Sequence, residues 1–147
     1  MKANELMLGD WVRRRWTCCN TGREVIKDFQ VTEIRKNGET LYAWGKGGNM
    51  GRVEDLEPIP ITPEILEKNG FVFFDDSYNK KPIRRYKYEG DEYKYGISTD
   101  DTDGSYFTFG IPYNGICFNI VRALRVHSIH ELQHALRLCG IDLDIVI

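Results

Sequence analysis

The sequence predicts an α+β protein: a small SH3-like β-barrel at 1–61, then a second part at 62–147 whose antiparallel sheet is packed by a C-terminal helix. Three observations predict it. Short β-patterned runs cut by turn residues fill the first 60 positions. A capped helical segment, ITPEILEKNG (61–70), then breaks the β pattern. A second amphipathic run opens at Ser128 and stops at Gly140.

Gly9-Asp10-Trp11-Val12 opens the first extended stretch. Phe29 to Ile34 alternates apolar and polar residues, the period of a half-buried strand. Asn37-Gly38 is a hairpin turn signal, and Thr40 to Trp44 supplies the partner strand. A glycine-rich loop, Gly45 to Gly51, reads as a mobile hairpin tip. It is not a phosphate loop, because it leads into a strand and lacks the closing Lys-Ser/Thr. Val53 to Ile59 closes the unit, and Pro58 and Pro60 end it.

The linking helix, 62–69, has Thr62 to cap it, Pro63 in its first turn and Gly70 to stop it. Antiparallel strands follow over 71–121: a buried Phe71 to Phe74, Ile83 to Tyr88, Tyr93 to Ile97, Ser105 to Gly110 and Ile116 to Ile120. Short turns between consecutive strands imply a meander. Helix 128–139 carries a capping box, Ser128 with Glu131 three residues on. A last strand is expected in Leu143 to Ile147.

The composition, 41% hydrophobic and 29% charged, excludes a disordered chain. No run reaches the ~18 apolar residues of a membrane span, and the N-terminus lacks the apolar core of a signal peptide. A cytoplasmic protein with no membrane partner is therefore expected. The four cysteines (Cys18, Cys19, Cys117, Cys139) form no C-x-x-C and read as free, mostly buried thiols. Net charge is −2, with 10 basic and 9 acidic residues up to Pro60 and 10 and 13 after it. Neither half is a basic domain of the kind that binds nucleic acid non-specifically.

His130-Glu131-Leu132-Gln133-His134 spells H-E-x-x-H, in which two histidines one turn apart hold zinc and the glutamate is general base. On a helical wheel Ile129, Leu132, Ala135, Leu136 and Cys139 form the apolar stripe, while His130 and His134 share the opposite face. A third ligand is hard to find. Arg137 stands where the longer zinc pattern needs glycine, and no glutamate follows Glu131. Asp142 and Asp144 are the remaining downstream carboxylates, on a short tail. Capping alone accounts for Glu131, so the favoured reading is a solvated polar helix face. The opposing one is a zinc hydrolase using His130, His134 and Asp142 or Asp144.

Nothing local turns Cys117 or Cys139 into an activated nucleophile. The acidic loop Asp100 to Gly104 fails the calcium-loop pattern, because its twelfth position is Ile111. Bases and aromatics interleave in Arg13-Arg14-Arg15-Trp16 and in the ribbon Arg84, Arg85, Tyr86, Lys87, Tyr88 through Lys94. These are the candidate binding surfaces, for single-stranded nucleic acid or for an acidic protein.

Three islands of the chain resemble a group of short uncharacterised proteins of gut anaerobic bacteria, their phages and their conjugative elements. They are MKANEL with GDWV at the start, VEDLEPIPIT with Leu66 and Gly70-Phe71 in the middle, and Val126-His127, HELQ and Leu136 to Gly140 at the end. The resemblance implies an accessory role on a mobile element and carries no assigned activity. It also implies that the position of Glu131 varies, which weighs against a zinc base there. The expectation is a non-catalytic cytoplasmic binding or accessory protein without cofactor, whose partner is a protein or nucleic acid.

Overall fold

The computed structural model describes residues 1–75, 83–89, 94–100, 107–110, 124–138 and 140–147; between 74 and 125 the described side chains are those of Tyr86 and Tyr88. The chain falls into two units, Met1–Ile59 and Pro60–Ile147. Among the described residues all strand pairings are antiparallel, and together with the helices described below they make the protein α+β.

In the first unit, β1 (Trp11–Thr17) pairs with β2 (Glu24–Asn37) from Trp11↔Gln30 to Thr17↔Glu24. Past Val31, β2 leaves β1 and pairs with β3 (Thr40–Gly45) from Glu33↔Trp44 to Asn37↔Thr40. The register shifts between Val31 and Glu33. That bulge explains why β2 turns Phe29, Val31 and then Ile34 toward the core: one extra residue resets which parity faces inward. The extra residue, Thr32, is exposed and donates its hydroxyl to the Trp44 carbonyl at 3.2 Å. The two-residue hairpin loop is Gly38-Glu39, one position later than Asn-Gly suggests, and Gly38 supplies the positive φ of 60°.

The glycine-rich stretch is a tight 3-10 turn, Lys46–Gly48, followed by β4 (Asn49–Arg52) paired with β3. Residues 49–51, expected as loop, are therefore strand. A 3-10 turn at Val53–Asp55 leads to β5 (Leu56–Pro58), which pairs with β1. The sheet order is β4-β3-β2-β1-β5. As a hydrogen-bonded ladder this sheet is open, so the expected barrel closure is corrected: β5 has three residues and no ladder to β4. Side chains hold that margin instead. An ideal Cβ on Gly51 would lie 2.8 Å from Leu56 Cδ2 and 3.2 Å from Arg14 Cδ. Arg14 Nη1 donates to the Met50 carbonyl at 2.6 Å. The core is Leu6, Val12, Phe29, Val31, Ala43, Val53 and Leu56.

In the second unit, α1 (Pro63–Lys68) has Thr62 accepting from the Ile65 N–H at 3.3 Å. Gly70, at φ 81°, reverses the chain and brings the Phe71 N–H to the Leu66 carbonyl at 3.0 Å. The sheet runs β6 (Val72–Asp75), β7 (Ile83–Glu89), β8 (Lys94–Asp100), β9 (Phe107–Gly110), β10 (Leu124–Val126) as a meander. Phe71 is buried, but Val72 and Phe73 are 67% and 47% exposed, because β6 is an edge strand rather than the buried one expected. The expected strand at Ile116 to Ile120 and most of the acidic loop lie outside the described residues.

Helix α2 (Ile129–Leu138) buries Ile129, Leu132, Ala135 and Leu136. The tail beyond it forms no strand. It is tied by side chains: the Asn69 amide donates to the Val146 carbonyl at 2.7 Å and accepts from the Val146 N–H at 2.8 Å, as a strand partner would. Ile141 and Ile145 of the tail are buried. No described helix is long and apolar enough to cross a membrane.

Candidate functional site

Helix α2 starts at Ile129 because Ser128 precedes it in an extended bridge to Pro60 and gives its carbonyl to the Leu132 N–H at 3.0 Å. Glu131 bonds back, but to the His127 N–H at 2.5 Å. It is a half-exposed capping carboxylate in a first turn that is otherwise buried. The polar face is solvated only in part, where the wheel predicts full exposure. His130 and Gln133 are 5% and 4% exposed. A wheel registers the helix alone; here part of the side opposite the apolar stripe is covered too, while His134 is half-buried and Arg137 exposed.

His130 Nδ1 lies 2.9 Å from the Ser128 hydroxyl, and the His130 and His134 rings meet edge-on with centroids 5.8 Å apart. A serine beside an imidazole is the start of a nucleophile–base pair. Ser128 is 2% exposed, so no substrate path to its oxygen is visible among the described residues. Asp142 and Asp144 sit exposed on the tail, and no three described His, Cys, Asp or Glu side chains gather into a metal-binding group.

Strand β1 uses its three arginines within the fold. Arg13 grips Asp28 with Nε and Nη2, both at 2.7 Å, across the β1–β2 pair. That fork holds the Arg13 pKa above its ordinary value, against the opposing effect of burial. Arg15 reaches Glu24 at 3.2 Å and Glu57 at 3.4 Å, and Glu24 leads in raising its pKa. Arg14 projects to the other side, its guanidinium 4.8 Å from the Trp16 ring centre. Arg84, Arg85, Lys87 and Lys94 occupy β7 and β8, where Arg85 stands opposite Ser98 and Lys87 opposite Gly96. Their side chains lie outside the described residues. Tyr86 of β7 is buried against Phe73 with ring centres 5.7 Å apart.

Of the four thiols expected to be free and mostly buried, Cys18 is free and half-buried and Cys19 free and exposed, at the tip of the β1–β2 hairpin. Cys117 and Cys139 lie outside the described residues. The Thr21 hydroxyl, followed by the backbone N–H groups of Asn20 and Thr21, lowers the Cys18 pKa by hydrogen bonding its thiolate.

A further surface escaped the sequence reading. Ala43 and Gly51 point inward on β3 and β4 and are buried, so Tyr42, Trp44, Met50 and Arg52 share the outer face. Cross-strand pairs bind the set: Trp44 faces Met50, and Tyr42 faces Arg52. From β2, Arg35 sits opposite Tyr42 and places its guanidinium 5.6 Å from the Trp44 ring centre. Glu33 hydrogen-bonds Arg35 and raises its pKa. Tyr42, Trp44 and Met50 are half-buried. The signal available in the sequence was the i, i+2 pair of aromatics in Leu-Tyr-Ala-Trp-Gly, 41–45.

No protein-family model, curated protein or solved structure matches this chain.

Proposed function

We propose that this chain is a non-catalytic binding protein, an accessory factor of a bacterial mobile element or phage working in the cytoplasm, and that its binding surface is the outer face of β2–β3–β4. The observation carrying this is that the half-exposed Tyr42, Trp44 and Met50 with Arg35 and Arg52 share one sheet face, on the side away from the core. The resemblance of the chain's three islands to mobile-element proteins supports the accessory role. An SH3-like barrel for the first unit is supported by the strand order, by the bent β2 serving both halves, and by the 3-10 turn before β5. The Gly51–Leu56 approach supports closure by packing.

The test is a photo-crosslinking residue placed at Tyr42, with the same residue at Ile26 as control, in cells that make the protein. Adducts at 42 and none at 26 are expected. Equal patterns would remove the assignment of the face. Metal analysis of the purified protein tests the opposing zinc-hydrolase reading: about one zinc per chain, lost in His130→Ala/His134→Ala, would favour it.

A further inference from the structure

We infer that the β2–β3–β4 face binds single-stranded nucleic acid, with bases stacking on Tyr42 and on the Arg35–Trp44 pair and phosphates meeting Lys46 and Arg52. This inference rests on the binding role proposed above and names its ligand. Residues i and i+2 of one strand stand about 7 Å apart on the same face. Tyr42 and Trp44 therefore form a row of two rings along β3, a spacing that a stretched nucleotide backbone spans. Every base presents a flat π-face, so such a row is tolerant of sequence. Arg35 over Trp44 adds a planar cation to the platform, a group on which bases also stack.

Charge points the same way. Residues 31–52 carry Arg35, Lys36, Lys46 and Arg52 against Glu33 and Glu39, although the whole chain is at −2. Lys46 is exposed in the β3–β4 turn, and the Arg52 side chain is 55% exposed, with Glu54 only at 3.7 Å. On β1, by contrast, Arg13 and Arg15 already face Asp28, Glu24 and Glu57. Arg35 is likewise paired with Glu33, so the less neutralised charge that a polyanion meets on the β3–β4 side is that of Lys46 and Arg52.

The experiment is fluorescence anisotropy of a labelled oligodeoxythymidine of about 12 nucleotides, a length within the usual site size, titrated with the full chain at low salt. Wild type is expected to bind, with affinity falling as salt rises. Trp44→Ala is expected to weaken binding roughly 10-fold, the loss of one stacked base. Because Trp44→Ala removes a half-buried ring, Arg52→Glu and Arg15→Glu serve as a second pair. Both change net charge equally, at exposed positions. Arg52→Glu is expected to weaken binding several times more than Arg15→Glu. Equal losses in this pair would overturn the placement while leaving a binding protein. Absence of oligonucleotide binding by wild type would overturn the inference itself. Binding of poly-glutamate in its place would keep the binding role and make the partner an acidic protein.

Discussion

Strand β1 and helix α2 carry the two stretches of sequence that look most like sites, RRRW and HELQH, and both are taken up by the structure in different ways. On β1, Arg13 and Arg15 stay near water and are matched to carboxylates on neighbouring strands, while Arg14 turns to the Met50 carbonyl and the Trp16 ring. On α2 two polar groups, His130 and Gln133, are taken inside almost completely. The difference teaches where energy resides. Exposed ion pairs contribute little, because water and salt compete for each charge. Buried polar groups are costly to disturb, because a partner left behind in the interior has no water to replace what it lost.

The largest expected effect is on α2. His130→Ala should destabilise the protein by about 3 kcal/mol, through lost packing and a Ser128 hydroxyl left buried without its imidazole. Urea unfolding followed by circular dichroism measures it; an unchanged midpoint would mean that HELQH is a surface motif after all. The three tryptophans, Trp11, Trp16 and Trp44, all lie in the first unit, so their fluorescence separates a loss there from one around α2.

Gly45 comes next. A Cβ there would sit 2.5 Å from Phe29 Cδ2 and 2.8 Å from the Gln30 carbonyl, and backbone cannot yield cheaply. Gly45→Ala should cost about 2 kcal/mol, read by tryptophan fluorescence in urea. On β1, a double-mutant cycle on Arg13 and Asp28 should give a coupling of about 1 kcal/mol, since the pair is bidentate and partly buried. Arg15→Ala should leave the midpoint unchanged within error, its partners being solvated. Should Arg15 match Arg13, geometry matters less on this face than the fork implies.

The smallest effect is chemical. The folded chain holds the Cys18 thiolate below its ordinary pKa, so the ionised form is favoured by folding. The associated stabilisation is present above the unfolded pKa and is lost as pH falls through the folded value. Iodoacetamide should therefore modify native Cys18 at lower pH than the same thiol in urea, and Thr21→Val should shift the native profile back upward.

Much of the frame was legible before any coordinates. Thr62, Pro63 and Gly70 bound α1 because capping and positive φ are local chemistry. The apolar stripe of α2 was readable for the same reason: 3.6-residue periodicity is a property of the segment itself. The tail was misread because Ile141 and Ile145 sit at a spacing of four, while the pattern of Leu143 to Ile147 suggested a strand. Its partner is the amide of Asn69, 77 residues away.

By itself, then, the sequence determined the helices, the β1, β2, β3 and β7 strand runs and the β1 arginines as a cluster, since each follows from the conformational preferences and spacing of neighbouring residues. Tertiary structure decided which of those residues remain available. Asp28, Glu24 and Glu57 reach the arginines through strand pairing, His130 and Gln133 disappear under cover no wheel displays, and the bulge at Thr32 sets which side chains of β2 face outward beside Tyr42 and Trp44. Accessibility and charge neutralisation are sums over neighbours distant in the chain, and strand register fixes those neighbours.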